Sequence, residues 1–168
     1  MTQQRLIAGR LNKSRERLMA AKTLLQAKFY SDALSRSYYA IFFAAKAVLA
    51  IKGSEPKRHG GVVSEFNLHF VKTKIVEQEM GAILAQARVK RELGDYDDFY
   101  EATRTEAERQ LHRAESFVKR MEKLVEDSSS PEASLEFKVK EREDSYSRRP
   151  GRRKGDSKKK KIRRGPFS

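Results

Sequence analysis

Residues 33–51 constrain the fold of this chain more than any other segment. They include no glycine or proline, and apart from two tyrosines their only polar members are Ser35, Arg36, Ser37 and Lys46. The apolar residues recur at intervals of three and four, as they do on an α-helix. Because a helix that is apolar on most sides must be enclosed by other helices, the segment predicts the central helix of an all-α bundle. We expect polar chemistry only near the ends of that helix.

The sequence around this segment predicts more helices. Four are expected, at about residues 4–27, 62–71 and 74–93 and after Thr103. Ser31 is expected to cap the central helix and Gly53 to end it. Thr103 and Glu106 have the spacing of a capping box. Since no segment alternates apolar and polar residues for the length of a strand, we predict a bundle of five antiparallel helices.

The C-terminal part differs so strongly in composition that we divide the chain into a helical domain, residues 1–126, and a tail, residues 127–168. The chain has a net charge of +14, and residues 145–168 alone contain 11 Lys and Arg against one Asp. Low hydrophobicity with high charge predicts disorder. A disordered polycation binds RNA or DNA phosphates without sequence preference, and a tail that only aids solubility is the open alternative. The candidate nucleic-acid contacts are Arg152, Arg153, Lys158, Lys159, Lys160 and Lys161.

Several classes of protein are disfavoured by what the sequence lacks. Without cysteine the chain forms neither disulfides nor thiolate zinc sites, which fits a reducing cytoplasm. The charged N-terminus lacks a signal-peptide pattern, and Arg36 and Lys46 argue against the central helix as a membrane span. The acidic residues after Gly94 miss the spacing of a calcium loop. We therefore expect a cytoplasmic protein without a metal or cofactor and without membrane contact.

One candidate phosphate site is a basic turn before the third helix. Lys57, Arg58 and His59 precede Gly60 and Gly61, and flexible glycines let backbone N–H groups converge on an anion. The sequence is not a P-loop. A turn in which the glycines only redirect the chain is equally consistent with the pattern.

Two other groups of residues are candidates near the helices. Arg88 and Arg91, followed by Asp95 and Tyr96, are suited to hold a phosphate, or else to pair with nearby acids at the end of the fourth helix. Arg36 lies four residues after an aspartate, which favours a surface ion pair; its alternative is a cation directed into a groove. The aromatic positions 38, 39, 42 and 43 have the spacing of core residues, with base stacking as the alternative.

The order of these segments resembles the HEPN superfamily, and within it the small prokaryotic UPF0332 family. The resemblance covers about residues 4–126. It rests on three stretches, YSDALSRSYYAIFFAAKAVLAIKG, PKRHGGVVSEFNLHFVKT and VKRELGDYDDF. It implies an HEPN-like helical domain that dimerises, acts on RNA or nucleotides, and pairs with a small nucleotidyltransferase-like protein in toxin–antitoxin modules.

The resemblance also implies where catalytic residues are to be sought. Catalytic HEPN proteins resemble metal-independent ribonucleases in which an arginine is followed, after four to six residues, by a histidine. Here Asp95 occupies the histidine position, and an aspartate is a weak base at its ordinary pKa. The sequence favours a module that binds RNA or nucleotides without cleaving them. The alternatives are a ribonuclease toxin that uses Arg88, Arg91, Asp95 and Tyr96, with His59 as a further contributor, and a helical adaptor without a nucleic-acid role.

Overall fold

The computed structural model describes residues 2–129, and over this range the chain is an all-α bundle of five helices, as predicted. They are α1 (Gln3–Gln26), α2 (Tyr30–Ile51), α3 (His59–Phe66), α4 (Gln78–Tyr96) and α5 (Arg104–Ser128). A single π-helical turn, Asn67–Val71, continues α3. Helix α5 runs two residues beyond the predicted domain boundary at 126. Residues 130–168, which include all the candidate nucleic-acid contacts of the tail, lie outside the described residues.

Helix α2 is the centre of the bundle, as its composition predicted. It packs against α1 and α5 along most of its length and against α3 and α4 on another side. Between Ala40 and Ala50 every residue of α2 is buried except Phe43 and Lys46. The core around it is completed by aromatic and aliphatic side chains of the other helices: Val62, Phe66, Phe70, Ile83, Leu84, Phe117 and Met121.

The same helix has the length and composition of a membrane span. Tyr30–Ile51 is the one helix in residues 2–129 that passes this test, and 67% of its most apolar window is buried inside the bundle. The core helix of a bundle meets the same criteria, because both must be apolar around most of their circumference.

Helix ends show which local signals decide the boundaries. Thr103 and Glu106 form the predicted capping box, and Gly53 ends α2 at a φ of +68°, a conformation that glycine adopts without strain. The prediction for Ser31 was wrong. Because α2 begins at Tyr30, Ser31 lies inside the helix, and its hydroxyl accepts a hydrogen bond from the Ala102 N–H at 3.1 Å. It thereby ties the start of α2 to the loop before α5.

Helix α3 begins at His59, three residues earlier than predicted. The N–H of Val62 bonds to the carbonyl of Arg58, so His59, Gly60 and Gly61 form the first helical turn. The expected glycine turn is therefore wrong. A glycine pair does not by itself stop a helix when the following residues pack into the core, as Val62 does here.

Helix α4 begins and ends later than predicted. Lys74 has a φ of +57°, a left-handed conformation that interrupts the helical pattern, and α4 starts only at Gln78. The N–H groups of Ile75 and Val76 bond back to the carbonyl of Phe70 instead. At its other end α4 continues through Tyr96, so that the whole acidic and basic segment from 88 to 96 is helical.

Candidate functional site

One stripe of α2 reaches solvent in the middle of the helix. Between Ser35 and Lys46 the residues that are not buried are Ser35, Arg36, Tyr39, Phe43 and Lys46, whose spacing places them on a single face. We call these five residues the α2 stripe. Helices α3 and α4 meet beside its Tyr39. Polar chemistry therefore lies along the middle of α2, and our expectation that it would lie only near the ends was wrong.

His59 is held beside this stripe by three aromatic rings. The hydroxyl of Tyr38 lies 2.5 Å from its Nδ1. The ring of Phe42 stacks on the imidazole with 4.5 Å between ring centres, and the ring of Tyr39 meets it edge-on at 6.3 Å. Since the imidazole is enclosed on several sides and bonded at Nδ1, its orientation is fixed by the core helix itself.

Two arginines of α4 approach the same place. Arg88 Nε is 2.7 Å from Glu92 Oε1, and its guanidinium lies over Gly60, where a β-carbon would be only 3.0 Å from Nη1. The absence of a side chain at Gly60 therefore lets Arg88 rest on the first turn of α3, next to His59.

Arg91 is the second of these arginines. Its Nη2 is 2.5 Å from Asp95 Oδ2, and its Cζ lies 5.7 Å from the centre of the Tyr39 ring. Its Nε is buried and has no hydrogen-bond partner within residues 2–129. Asp95 and Tyr39 together fix the plane of this guanidinium while one of its N–H groups stays unsatisfied.

The electrostatics keep the imidazole neutral. Burial lowers the pKa of His59 below its ordinary value, and the charges of Arg91 and Arg88 lower that pKa further, against a smaller opposing effect of Glu92. Burial also strongly raises the pKa of Tyr38, so its phenol stays protonated. Near pH 7 the site therefore contains a neutral imidazole, a neutral phenol and two guanidinium cations.

The hydrogen bond to Tyr38 couples the phenol proton to the tautomer of the imidazole. The hydroxyl bonds to Nδ1 of His59, and a phenol that stays protonated can donate to that nitrogen. When Tyr38 donates to Nδ1, the proton of the neutral ring is on Nε2. His59 then offers an N–H donor beside two guanidinium groups, and such a set binds an anion with several oxygen acceptors, of which phosphate is the common biological example.

The structure brings together some of the residues predicted from sequence and separates others. His59, Arg88, Arg91 and Asp95 form one cluster although His59 is 29 residues from Arg88 in sequence. Asp95 serves as the ion-pair partner of Arg91. Tyr96 is 85% exposed at the end of α4.

The other predicted phosphate contacts lie on the surface. Arg36, Lys57 and Arg58 are all exposed. In the described part of the chain none of the three forms an ion pair, so the pair expected between Asp32 and Arg36 is not made. These three side chains do not belong to the hydrogen-bonded framework of the cluster.

Tyr38 and Phe42 are site residues that sequence reasoning did not assign to the site. We had assigned them to the core, and they are buried, but both rings stack on His59 and the Tyr38 hydroxyl bonds to its Nδ1. The remaining histidines lie elsewhere. His69 is about one-third exposed, with Nε2 3.2 Å from Glu65 Oε2, and His112 is exposed on α5. Within residues 2–129 no group of three or more His, Asp and Glu side chains could hold a metal ion.

Comparison with known proteins shows the family to which the chain belongs. The model of the HEPN domain matches residues 8–124. A protein of Methanocaldococcus jannaschii named "putative toxin" is 41% identical over 112 residues, which is 67% of this chain and 83% of that protein. A second M. jannaschii protein with the same designation is 34% identical over 68% of this chain and 78% of its own length. A UPF0332 protein of Thermotoga maritima is 36% identical over 68% of this chain and 87% of its own length.

Proposed function

Because the chain belongs to the HEPN domain family, as a small protein of the UPF0332 type, we propose that it is a toxin–antitoxin component whose His59 site binds RNA phosphates. The two M. jannaschii relatives named "putative toxin" support the first part of this proposal. One observation carries the second part: a neutral imidazole lies beside two guanidinium groups that are each oriented by a carboxylate.

Each residue has a distinct part in binding. Arg88 and Arg91 supply positive charge and forked N–H groups that match phosphate oxygens. The Nε2–H of His59 donates a third hydrogen bond, and Tyr38 holds the ring in position. Glu92 and Asp95 keep the guanidinium planes fixed, so less conformational entropy is lost when the phosphate binds.

The second candidate function is cleavage of the RNA. It is favoured by the same imidazole, because a histidine near a bound phosphate can take the proton of the ribose 2′-hydroxyl while the arginines stabilise the developing charge. This requires the other tautomer, in which Nδ1–H donates to the Tyr38 oxygen and Nε2 is free to accept a proton. Asp95 is less suited to be the base because it is engaged by Arg91. The hydrogen bond from the protonated phenol favours binding over cleavage.

A paired comparison of two arginine variants tests the binding site. Arg88→Ala removes a cation of the site, and Arg109→Ala removes an exposed cation of α5. We expect Arg88→Ala to weaken binding of 2′-O-methylated UpU about tenfold or more, since charged hydrogen bonds contribute roughly 1.5–3 kcal/mol. Arg109→Ala should change it less than twofold. Equal effects of the two substitutions would show that the phosphate binds elsewhere.

The same proteins distinguish binding from cleavage. Unmethylated RNA is incubated with the protein in the presence of a metal chelator, and the products are separated by electrophoresis. We expect intact RNA. RNA fragments that form with the parent protein and not with His59→Gln would establish ribonuclease activity instead. Growth arrest on expression that Arg91→Ala relieves would indicate the same activity in cells.

We also propose that the protein forms a homodimer and associates with a nucleotidyltransferase-like antitoxin in the cytoplasm. Support for the homodimer comes from an apolar strip on the outer face of α4, where Val89, Leu93 and Tyr96 are 55%, 49% and 85% exposed. They follow helical spacing and line a surface cavity. Light scattering should give a dimer mass that Leu93→Asp reduces to a monomer, whereas Met19→Asp on α1 should leave it unchanged.

We further propose that the chain consists of a helical domain, residues 1–126, and a tail, residues 127–168, and that the tail adds nonspecific affinity for RNA. Deleting residues 145–168 removes 11 Lys and Arg. We expect the salt dependence of RNA binding to become shallower by up to about 8 in log–log slope, because each neutralised phosphate of a single strand contributes about 0.7. An unchanged slope would show that the tail does not bind.

A further inference from the structure

A second group of cations lies farther along the α2 stripe. Lys46 Nζ is 5.8 Å from the centre of the Phe42 ring. The same ring stacks on the imidazole of His59. Lys13 of α1 lies 5.6 Å from the centre of the Phe43 ring. Phe42 and Phe43 contact each other edge-on at 5.8 Å. The two lysines therefore stand over adjacent rings on a surface that is continuous with the His59 site.

The charges of these lysines are not balanced by nearby acids. Within residues 2–129 neither forms an ion pair. The carboxylate that acts on Lys46 is that of Glu55, which lies 3.5 Å from Arg10 Nη2. Arg10 also donates to the backbone carbonyl of Lys46 at 2.8 Å, so it occupies the space behind that lysine as a third cation.

The local electrostatics agree with this geometry. Partial burial and the charge of Arg10 lower the pKa of Lys46, with a further contribution from Lys13 and an opposing one from Glu55. Lys46 also contributes to lowering the pKa of His59. Arg10, Lys13 and Lys46 therefore repel one another, and an anion bound beside the two lysines would relieve that repulsion.

The spacing suits a chain of phosphates better than a single ion. Tyr39, beneath Arg91, and Lys46 are seven residues apart on α2, which corresponds to roughly 10 Å along the helix axis. We infer that Lys13 and Lys46 form a second phosphate subsite, which holds a further phosphate of the single-stranded RNA whose first phosphate is at His59. This inference rests on the proposed function of the His59 site. A nucleic acid strand fits better than a second protein copy because a positively charged surface with aromatic side chains is typical of proteins that bind single strands.

Two probes and three variants test the inference on the full-length protein. The probes are 2′-O-methylated UpU, with one phosphodiester, and 2′-O-methylated hexauridylate, with five, both measured by titration at several salt concentrations. The variants are Lys13→Ala/Lys46→Ala, Arg88→Ala, and the control Lys119→Ala/Lys123→Ala, which removes two exposed cations from α5. Circular dichroism establishes that each variant folds.

We expect Lys13→Ala/Lys46→Ala to weaken hexauridylate binding about tenfold at low salt and to reduce its salt slope by about 1.4, while UpU binding changes less than twofold. The control should affect neither probe beyond twofold. If the lysine pair behaves like the control while Arg88→Ala still weakens UpU, the second subsite is absent and the His59 site stands. If Arg88→Ala affects neither probe, the His59 site itself fails. If Lys13→Ala/Lys46→Ala changes the mass measured by light scattering and leaves the affinity for hexauridylate unchanged, this face is a protein interface and the inference is overturned.

Discussion

The two faces of helix α2 differ in what their side chains contact: one face packs into the core, and the other lies beside charged and polar groups. On the enclosed side Ile41, Ala44, Val48 and Leu49 are completely buried, and all four belong to the hydrophobic core cluster. On the other side the rings of the α2 stripe and the adjoining Phe42 contact the His59 imidazole and three cations. The enclosed side is explained by burial alone. The stripe is not, because a helix needed only for packing would gain nothing from like charges arranged along it.

This difference separates residues that determine stability from residues that determine binding. A substitution on the enclosed side removes contacts that nothing else can replace, so the free energy of unfolding should fall and the site should follow only through unfolding. A substitution on the α2 stripe, or of a residue that contacts it, should change the affinity for RNA while the free energy of unfolding is nearly unaffected. The following substitutions test that division, beginning with the largest expected effect.

Leu49→Ala should lower the free energy of unfolding by about 2–5 kcal/mol, because Leu49 is fully buried and the substitution leaves a cavity. Urea denaturation measures the effect. Ser35→Ala on the stripe is the control and should stay within about 0.5 kcal/mol of the parent. A Leu49→Ala protein that is as stable as the Ser35→Ala protein would show that the enclosed side is not the core.

Tyr38→Phe tests the residue that belongs to both sides. Its ring is buried in the core, and its hydroxyl lies 2.5 Å from His59 Nδ1. Loss of the hydroxyl should cost about 1 kcal/mol of stability, the typical net value of one hydrogen bond. It should also weaken UpU binding several-fold because the imidazole loses its fixed tautomer. Unchanged affinity would mean that Tyr38 does not orient His59.

Gly60→Ala should separate stability from binding most clearly. Alanine in place of a helical glycine stabilises by up to about 1 kcal/mol, but the new β-carbon would meet Arg88 Nη1 at 3.0 Å and displace the guanidinium. We expect weaker UpU binding without loss of stability. Gly9→Ala is the matched control, since a β-carbon there has nothing within 4 Å. Equal affinities of the two variants would show that Arg88 does not need this position.

The course of the helices was predictable from sequence, and the site was predictable only in part. Hydrophobic spacing placed all five helices, because burial of α2 demands a partner on most sides. The boundaries of α3 and α4 were missed where a single backbone feature decided them, namely the helical conformation of Gly60 and the left-handed Lys74.

The assembly of the site was predicted only in outline, because its details depend on tertiary packing. The sequence analysis named His59 as a further contributor to the site of Arg88 and Arg91, and the crossing of α3 over α4 brings the three side chains together. Tyr38 was assigned to the core from its helical spacing, and this was right for its ring. The role of its hydroxyl depends on a partner 21 residues away, which no local pattern reveals.

The pKa of His59 also makes stability depend on pH in a defined direction. Because the folded-state pKa is lowered, the unfolded chain takes up the proton first as the pH falls below the ordinary histidine value. Stability should therefore decrease in that range and be unaffected by His59 above it. His59→Gln should remove this part of the pH dependence, which urea denaturation at pH 5 and pH 8 would measure. An equal pH dependence in both proteins would contradict the assignment.

The most direct test of the account is an NMR titration of the imidazoles with and without 2′-O-methylated UpU, whose phosphodiester does not itself titrate near neutral pH. The account predicts that the pKa of His59 lies below its ordinary value in the free protein and rises when the anion binds beside it. The NMR signals of the exposed His112 should be the same with and without UpU. A His59 pKa that does not change at saturating UpU would contradict the claim that this face of α2 holds phosphate.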